Sequence, residues 1–321
     1  MIRIEVPDID IRHYLLAYLK TPLGQALLRR GKSGSVIDHI TTSDVAALPL
    51  PLPADDVITA VAARMRAAVT AVAGARTTLL ALLAESESSL PMPSRPTSPR
   101  DGWMTPSTRV VDRLDAAFYD PRVQAARSQL RSAGGVTLGE LAAAELPVRY
   151  KRYYVEPGHG RPILSGRQIL QFEPVNLQHV SDRSFRDAER YVVGAGTTIM
   201  AADGRAEGSQ GSAAMVTGDR DGWLASNHVM RLLPRSGVRP GAVWLAMAAR
   251  QTRAQVNALS FGSVVDQVNP RDVETVVVPV VPVVSDAAAR QAEAAWTAFS
   301  EAAIAIRDTV QWLQAALRPD H

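Results

Sequence analysis

The residues with the clearest chemical potential are arginines: only Lys20, Lys32 and Lys151 of the 35 basic residues are lysine. A guanidinium group offers a planar fork of donors that matches phosphate oxygens and the edge of guanine. The densest group, RYKRYY at 149–154, interleaves cations and aromatic rings, a pattern suited to gripping a phosphate backbone while stacking on bases. Two simpler origins of the pattern stay open, because a GC-rich genome also enriches arginine and an exposed strand also alternates. The formal net charge of +3 is weak support for a nucleic-acid partner.

Motifs of common catalytic chemistry are absent from the sequence. There is no GxxxxGK[ST] phosphate loop, no HExxH zinc helix and no GxSxG nucleophile elbow. The GAG at 194–196 lacks the third glycine of a dinucleotide fingerprint, and the NPR at 269–271 is only the nearest approach to the Asn-Pro-Pro-aromatic motif of amino-group DNA methyltransferases. No two of the six histidines are spaced i+3 or i+4, and there is no cysteine. We therefore expect no enzyme, no bound metal and no cofactor in this chain.

An internal repeat governs the organisation of the chain. Residues 34–51 and 262–279 align without a gap at an offset of 228, and seven of the eighteen positions are identical, Gly34/Gly262 and Pro51/Pro279 among them. Each copy is followed by a long segment in which apolar residues recur alternately every three and four positions. The sequence therefore predicts a duplicated module that leads into a long helix.

The apolar spacing after each copy predicts a coiled-coil seam. Apolar residues that alternate strictly every three and four positions over three heptads form a stripe that is narrower than a general amphipathic face. Asp55 and Asp56 precede the first seam, and Ser285 and Asp286 precede the second, as capping residues do. Each stripe needs a partner, so we expect the two helices to pair antiparallel; two separate helices on a globular core are the alternative. The predicted seam residues are Ile58, Val61, Met65, Val72, Leu79 and Leu82 in the first helix, and Trp296, Phe299, Ile306, Val310, Leu313 and Leu317 in the second.

The remaining sequence divides into a linker and a mixed region. Residues 89–102 are rich in proline, serine and arginine, which is typical of a linker, and the following 180 residues or so mix short strand and helix patterns. No apolar run approaches the ~20 residues of a membrane span, and the N-terminus has no basic-then-apolar signal pattern. We expect a cytoplasmic protein with no membrane partner.

Several segments resemble the target recognition domains of type I restriction-modification specificity subunits. The leucine-rich YLLAYLKTP at 14–22, the GSV at 34–36 and the LPLPLP at 48–53 are similar to the end of such a domain, which closes with a helix, a strand and a long spacer helix. RLDAAFYDP at 113–121 is similar to the opening segment of the family. Residues 160–169, 198–204 with Gly208, and 226–234 are similar to its core strands. The resemblance covers nearly the whole chain.

The resemblance implies an α+β fold: one mixed α/β target recognition domain, a long antiparallel two-helix coiled coil and a partial second recognition domain. The expected boundaries are 1–53 for the closing fragment of a first recognition domain, 54–88 for spacer helix 1, 89–102 for the linker, 103–283 for a complete recognition domain and 284–318 for spacer helix 2. The chain departs from the family here, because the family usually carries two complete recognition domains. Three alternatives stay open for the first one: the chain is a single-domain variant that dimerises, another chain supplies the missing part, or that part is lost. A further alternative is an unusual fold that does not recognise DNA.

The function implied by the resemblance is recognition of a bipartite DNA sequence for partner enzymes. The seam from Ile58 to Leu82 is about 37 Å long at ~1.5 Å per residue, close to one turn of DNA (~34–36 Å). The implied partners are double-stranded DNA, two methyltransferase subunits that bring S-adenosylmethionine, and restriction-translocase subunits. The alternative is a non-catalytic coiled-coil adaptor of a defence or repair complex without sequence readout. An enzyme with an unrecognised site is a third interpretation, which the missing motifs disfavour.

The side chains that we predict to contact DNA combine charge for phosphates with forks and amides that match base edges. They are Arg149, Lys151, Arg152, Tyr153, Arg161, Arg167, Gln168, Arg205, Gln210, Asn227 and His228.

Overall fold

The computed structural model describes residues 2–30, 40–94, 102–111, 113–184, 188–204, 210–261, 266–280 and 285–318. The described helices are α1 Ile9–Lys20, α2 Pro22–Arg30, α3 Thr42–Ala46, α4 Asp55–Ser89, α5 Pro121–Ser132, α6 Leu138–Leu141, α7 Pro240–Ala248, α8 Arg250–Ala258, α9 Pro270–Glu274 and α10 Asp286–Ala316. The described strands are β1 Val136–Thr137, β2 Ala142–Glu145, β3 Tyr154–Val155, β4 Arg161–Leu164, β5 Gln178–Val180, β6 Val192–Val193, β7 Thr198–Ala201, β8 Asp203–Gly204, β9 Ala213–Met215, β10 Trp223–Ala225, β11 Val229–Pro234, β12 Asp266–Gln267 and β13 Val277–Val278. The fold is α+β, as predicted.

The chain forms two compact units that do not follow the chain order. One unit, here called the helical unit, contains residues 1–74 and 298–321, and the other, the sheet unit, contains residues 75–297. Each unit therefore takes one part of α4 and one part of α10. The predicted domain boundaries along the sequence stay a prediction.

The two long helices form the predicted antiparallel coiled coil. The first part of α4 belongs to the same unit as the last part of α10, and in that unit the Arg64 guanidinium lies 4.8 Å from the centre of the Trp312 ring. Apart from Ala62, which is also buried, the buried positions of α4 follow the alternation of three and four residues that a seam requires. They are Ile58, Val61, Met65, Ala68, Ala75, Leu79, Leu82 and Ser86, with Val72 half-buried.

The stripe on α10 is wider than predicted. Ile306 and Leu313 are buried, whereas Phe299, Val310 and Leu317 are half-buried and alanines fill much of the contact. Trp296 differs most from its interpretation as seam packing. Its ring meets Trp244 of α7 edge-on, with 5.6 Å between centroids, and packs against an apolar cluster of the sheets. A large aromatic ring buries more apolar surface on a globular core than in a narrow seam.

By length and hydropathy, α4 is the one described helix that would be able to cross a membrane. The expectation that no segment approaches a span overlooked it, because alanine and threonine interrupt its large apolar residues. Those large residues are mainly seam residues that are buried against protein, and exposed positions of the helix carry Arg64, Arg66 and Arg76.

The sheet unit packs helices against short, mainly antiparallel strands. A four-stranded sheet has the order β2-β11-β7-β9, and a five-stranded sheet has the order β3-β5-β4-β10-β6, in which only β10 and β4 are parallel. Helix α7 is apolar nearly all round and is buried accordingly. Met200 and Met230 of the four-stranded sheet pack against Val243 and Met247 of α7 in the main core.

The offset of 228 also relates the structures of the two repeat copies, and it extends beyond them. Helix α3 and helix α9 coincide at both ends under this offset, and so do α2 and α8. Helices α1 and α7 end at equivalent residues, Lys20 and Ala248. The duplicated module therefore begins at α1 in the helical unit and at α7 in the sheet unit, well before the recognisable sequence repeat. Residues 34–39 and 262–265 of that repeat lie outside the described part of the chain.

Candidate nucleic-acid interface

Two adjoining concavities of the sheet unit share Arg152 and form what we call the arginine groove. The first has a volume of about 750 Å³ and is lined by Arg149, Tyr150, Lys151, Arg152, Tyr154, Asn227 and His228. The second, of about 280 Å³, is lined by Arg152, Ile163, Ser165, Arg167, Gln168, Gln171, Val175, Asn176, Gln178 and Ser226.

Three separate chain segments build the groove. The 149–153 segment leads into β3, the loop after Ser165 follows β4, and the turn at 226–228 joins β10 to β11. The turn is fixed because the Ser226 amide donates to the Leu164 carbonyl at 2.9 Å, and the Val229 amide donates back to the Ser226 carbonyl at 3.1 Å. Parallel pairing of β10 with β4 brings the ends of both strands to one edge of the sheet. The turn and the loop therefore meet there.

A row of hydrogen bonds crosses the groove from Arg152 to Asp203. Arg152 donates to the side-chain carbonyl of Asn227, whose amide nitrogen lies 3.2 Å from Nε2 of His228, and Nδ1 of His228 contacts the Asp203 carboxylate. Because a carboxylate only accepts, Nδ1 of the neutral ring carries the proton and Nε2 accepts from Asn227. The Asp203 side chain is 16% exposed, while that of His228 is 53% exposed. The row therefore presents oriented polar groups at a surface.

Aromatic rings support the cations of the groove. The Lys151 ammonium lies 4.9 Å from the centre of the Tyr153 ring, and the Arg152 guanidinium lies 5.0 Å from that of Tyr150. Burial raises the pKa of the Tyr150 phenol, although nearby Arg152 opposes this shift. The rings of Tyr153 and Tyr154 are about half exposed and can stack on a ligand.

Sequence reasoning missed Arg231, a cation close to Tyr150. Its side chain is buried on β11, one amino group donates to the Arg190 carbonyl at 2.9 Å, and its Nε and second amino group have no hydrogen-bond partner among the described residues. Desolvation lowers the pKa of this guanidinium, and Glu145 opposes the shift. Solvent screens a buried charge poorly, so Arg231 adds to the positive electrostatic potential around Tyr150. Its only sequence signal is a single arginine within the apolar strand VMRLLP.

Seven of the residues predicted to contact DNA line the groove, and the others are placed differently. Tyr153 flanks the groove, because its ring contacts Lys151. Arg161 does not line the groove and forms an ion pair with Asp182 at 2.7 Å. Gln210 is fully buried; it donates to the Ala202 carbonyl and accepts from Ser260. Arg205 lies outside the described residues.

Gln168 lines the groove, but its amide is engaged internally. Its side-chain oxygen accepts from the amide of Ser165, and its nitrogen donates to the carbonyls of Val175 and Asn176. Gln168 thereby holds the loop between β4 and β5 in shape. Within the described part of the chain, no three histidine or acidic side chains cluster in a way that would hold a metal ion.

No family model matches the chain, and no curated protein matches it. The solved structures that are similar to it include the following three. An HsdS subunit from Thermoanaerobacter tengcongensis is 14% identical over 96% of this chain and 65% of that chain, with a TM-score of 0.38. A type I restriction-modification S subunit from M. genitalium is 13% identical over 99% of this chain and 74% of that chain, also at 0.38. A chain of a structure described as the basis of complex assembly and conformational transition of the type I R-M system is 16% identical over 96% and 71%, at 0.39.

The predicted resemblance to specificity subunits is therefore confirmed as a similarity to solved structures, at low identity and low TM-score. This chain spans 65% of the length of the first of those proteins.

Proposed function

We propose that this chain is a non-catalytic, sequence-specific DNA-recognition subunit, in which the arginine groove reads the DNA and the coiled coil sets spacing. One observation carries the proposal. Three chain segments that are distant in sequence bring Arg149, Lys151, Arg152, Arg167, Asn227 and His228 to one groove. The types of these residues alone had predicted contacts with phosphates and bases.

The groove side chains divide into two roles. Arg149 and Lys151 carry charge without an ion pair among the described residues and suit the phosphate backbone, which positions a protein without reading sequence. Arg167, Asn227 and His228 can form hydrogen bonds with base edges in the major groove. We leave Gln168 and Gln210 out of the contact set, because their amides are committed to internal hydrogen bonds.

The coiled coil suits the role of a spacer and assembly surface. The 35 residues of α4 correspond to about 52 Å at ~1.5 Å per residue, which exceeds one turn of DNA. We propose that its outer faces bind methyltransferase and restriction-translocase subunits in the cytoplasm, and that the methyltransferase brings the S-adenosylmethionine. The second candidate, an adaptor without sequence readout, is favoured only by the length of this coiled coil.

The test is selection from a library of randomised DNA duplexes by the purified full chain, alone and with a reconstituted methyltransferase partner. We expect wild-type protein to enrich a defined sequence and the Asn227→Ala variant to lose preference at specific positions of that sequence. Arg161→Ala, which removes a cation outside the groove lining, is the control and should enrich the wild-type sequence. Equal retention of all duplexes by wild-type protein in both settings would leave only the adaptor.

A further inference from the structure

We infer that Asn176 and its neighbour Val175 read one A·T base pair at the second concavity of the arginine groove. The Asn176 amide pairs with the adenine, and the Val175 side chain contacts the methyl group of the thymine. This inference rests on the proposed function and deepens it, because it names a base pair that the groove recognises. Neither residue is among those that the sequence predicted to contact DNA.

The backbone of Asn176 has an unusual conformation. Asn176 lies in the loop between β4 and β5 and lines the second concavity. Its φ of 54° is in the left-handed region, and no other non-glycine residue of the described part of the chain has a positive φ. Glycine would adopt this conformation without a steric penalty. The position therefore keeps an amide side chain where the backbone alone would favour glycine.

Two buried side chains hold this loop from the inside. The side-chain nitrogen of Gln168 donates to the carbonyls of Val175 and Asn176 at 2.9 and 3.2 Å. Arg220, which is 6% exposed, donates to the carbonyls of residues 171 and 172 at 2.5 and 2.9 Å. A loop that is fixed in this way loses little conformational freedom when a ligand binds. The outward side chains of the loop are therefore already in place for recognition.

The side chain of Asn176 is available to a ligand. It is exposed, and its amide has no hydrogen-bond partner among the described residues. An amide presents a donor and an acceptor side by side, which matches N6 and N7 of adenine in the major groove. At the same edge guanine presents two acceptors and cytosine presents one donor, so adenine is the best match.

Val175 adds an apolar contact beside this amide. Its side chain is 60% exposed and lines the same concavity. Thymine carries a methyl group in the major groove, where it lies next to the adenine with which it pairs. Adjacent Val175 and Asn176 can therefore contact both members of one base pair. Gln178 is another exposed amide of the concavity, but its neighbour Leu177 packs into the sheet core and offers no such contact.

The test uses base analogues in the DNA sequence that the full chain selects from the randomised library. At each A·T pair in turn, 7-deazaadenine removes the N7 acceptor or deoxyuridine removes the methyl group. Fluorescence anisotropy then measures the affinity of the full chain for each duplex. At one pair we expect 7-deazaadenine to weaken wild-type binding about tenfold, and deoxyuridine to weaken it by a smaller factor.

Variants assign each loss to its side chain. Asn176→Gly should become insensitive to 7-deazaadenine while it stays sensitive to deoxyuridine, and Val175→Ala should behave in the opposite way. Leu170→Ala is the matched control, because Leu170 is a 54% exposed apolar residue of the same loop that does not line the concavity. It should respond to both analogues as the wild type does.

Asn176→Gly also separates base reading from a role in the turn. A residue needed only for the turn could be replaced by glycine without loss, because glycine adopts the same φ. We expect this variant to keep the melting temperature of the wild type and to lose its preference for adenine at that pair about tenfold. Asn176→Asp should prefer cytosine there, because a carboxylate accepts from the N4 amino group.

The outcomes distinguish this inference from the proposed function. Wild-type protein may select a sequence in which no A·T pair responds to both analogues, or Asn176→Gly may respond to 7-deazaadenine as the wild type does. Either result overturns the inference and leaves the proposed function standing. Selection of no sequence by wild-type protein overturns both.

Discussion

Nδ1 of His228 donates a hydrogen bond to Oδ2 of Asp203, a residue 25 positions earlier in the chain. The carboxylate belongs to β8 and the imidazole to the turn before β11, so the contact connects a residue that lines the arginine groove to a neighbouring strand. It also fixes which nitrogen of His228 faces Asn227. Asp203 is therefore a positioning residue for the groove.

We expect Asp203→Asn to separate sequence discrimination from general affinity. The substitution removes a negative charge beside the proposed DNA-binding groove, so affinity for any duplex should rise slightly. Discrimination between the selected sequence and a scrambled one should fall about tenfold, because a misplaced base-reading group costs roughly 1–3 kcal/mol. Fluorescence anisotropy titrations measure both. Asp182→Asn removes a carboxylate paired with Arg161, and unchanged discrimination is expected for it; equal behaviour of the two variants would refute the positioning role.

Arg152→Ala should weaken DNA binding and reduce its salt dependence. Arg152 lines both concavities and holds Asn227. Loss of one cation from the groove should lower the slope of log affinity against log salt by about 1. Arg152→Lys should restore the slope but not the discrimination, because an ammonium lacks the planar fork. Arg290→Ala, which removes an arginine of α10 that forms an ion pair with Asp286, is the control. An unchanged slope in Arg152→Ala would place the DNA elsewhere.

Gly241→Ala should destabilise the sheet unit, whereas Gly74→Ala should stabilise α4. A Cβ atom at Gly241 would lie 2.1 Å from the backbone oxygen of Ala289, so α7 and α10 would have to separate, at a cost of roughly 1–3 kcal/mol. At Gly74 no atom lies within 4 Å of the added carbon, and alanine in a helix gains about 0.5–1 kcal/mol. Urea unfolding measures both changes. Equal effects of the two substitutions would contradict this packing of α7.

The helical unit should lose stability in alkali through Tyr14. Burial raises the pKa of its phenol to about 12, while the unfolded chain ionises near the ordinary value of 10. Between these values only the unfolded state releases the proton, so stability should fall by about 1.4 kcal/mol per pH unit as the pH rises from 10 to 12. Below pH 10 the contribution is fully present.

Tyr14→Phe should remove the part of the alkaline loss of stability that Tyr14 causes. The raised pKa of Tyr18 should leave a smaller alkaline loss of stability in this variant. At neutral pH the variant should lose about 1 kcal/mol, because the hydrogen bond to the Pro51 carbonyl is gone. Urea unfolding at several pH values measures both effects. Tyr153→Phe, at an exposed position, should keep the wild-type profile. An identical alkaline slope in Tyr14→Phe would show that another group titrates.

The sequence predicted features that depend on neighbours along the chain. The seam of α4 follows from residue spacing alone, because side chains three and four positions apart share one helix face. The short helices α3 and α9 coincide under the offset that identical residues revealed. The arginine groove was partly foreseen for the same reason, since RYKRYY at 149–154 is one local segment.

Tertiary structure alone decided how far the repeat extends and which predicted side chains are available. Residues 9–30 and 237–258 share one identity, Ala26 with Ala254, yet α2 and α8 coincide at both ends. Helix packing demands apolar character and shape rather than identical residues, so this relationship left almost no trace in the sequence. Burial of Gln210 and Arg231, and the contact of Trp296 with Trp244, depend on residues distant along the chain. Spacing determined the faces that the helices present; long-range packing determined what each face meets.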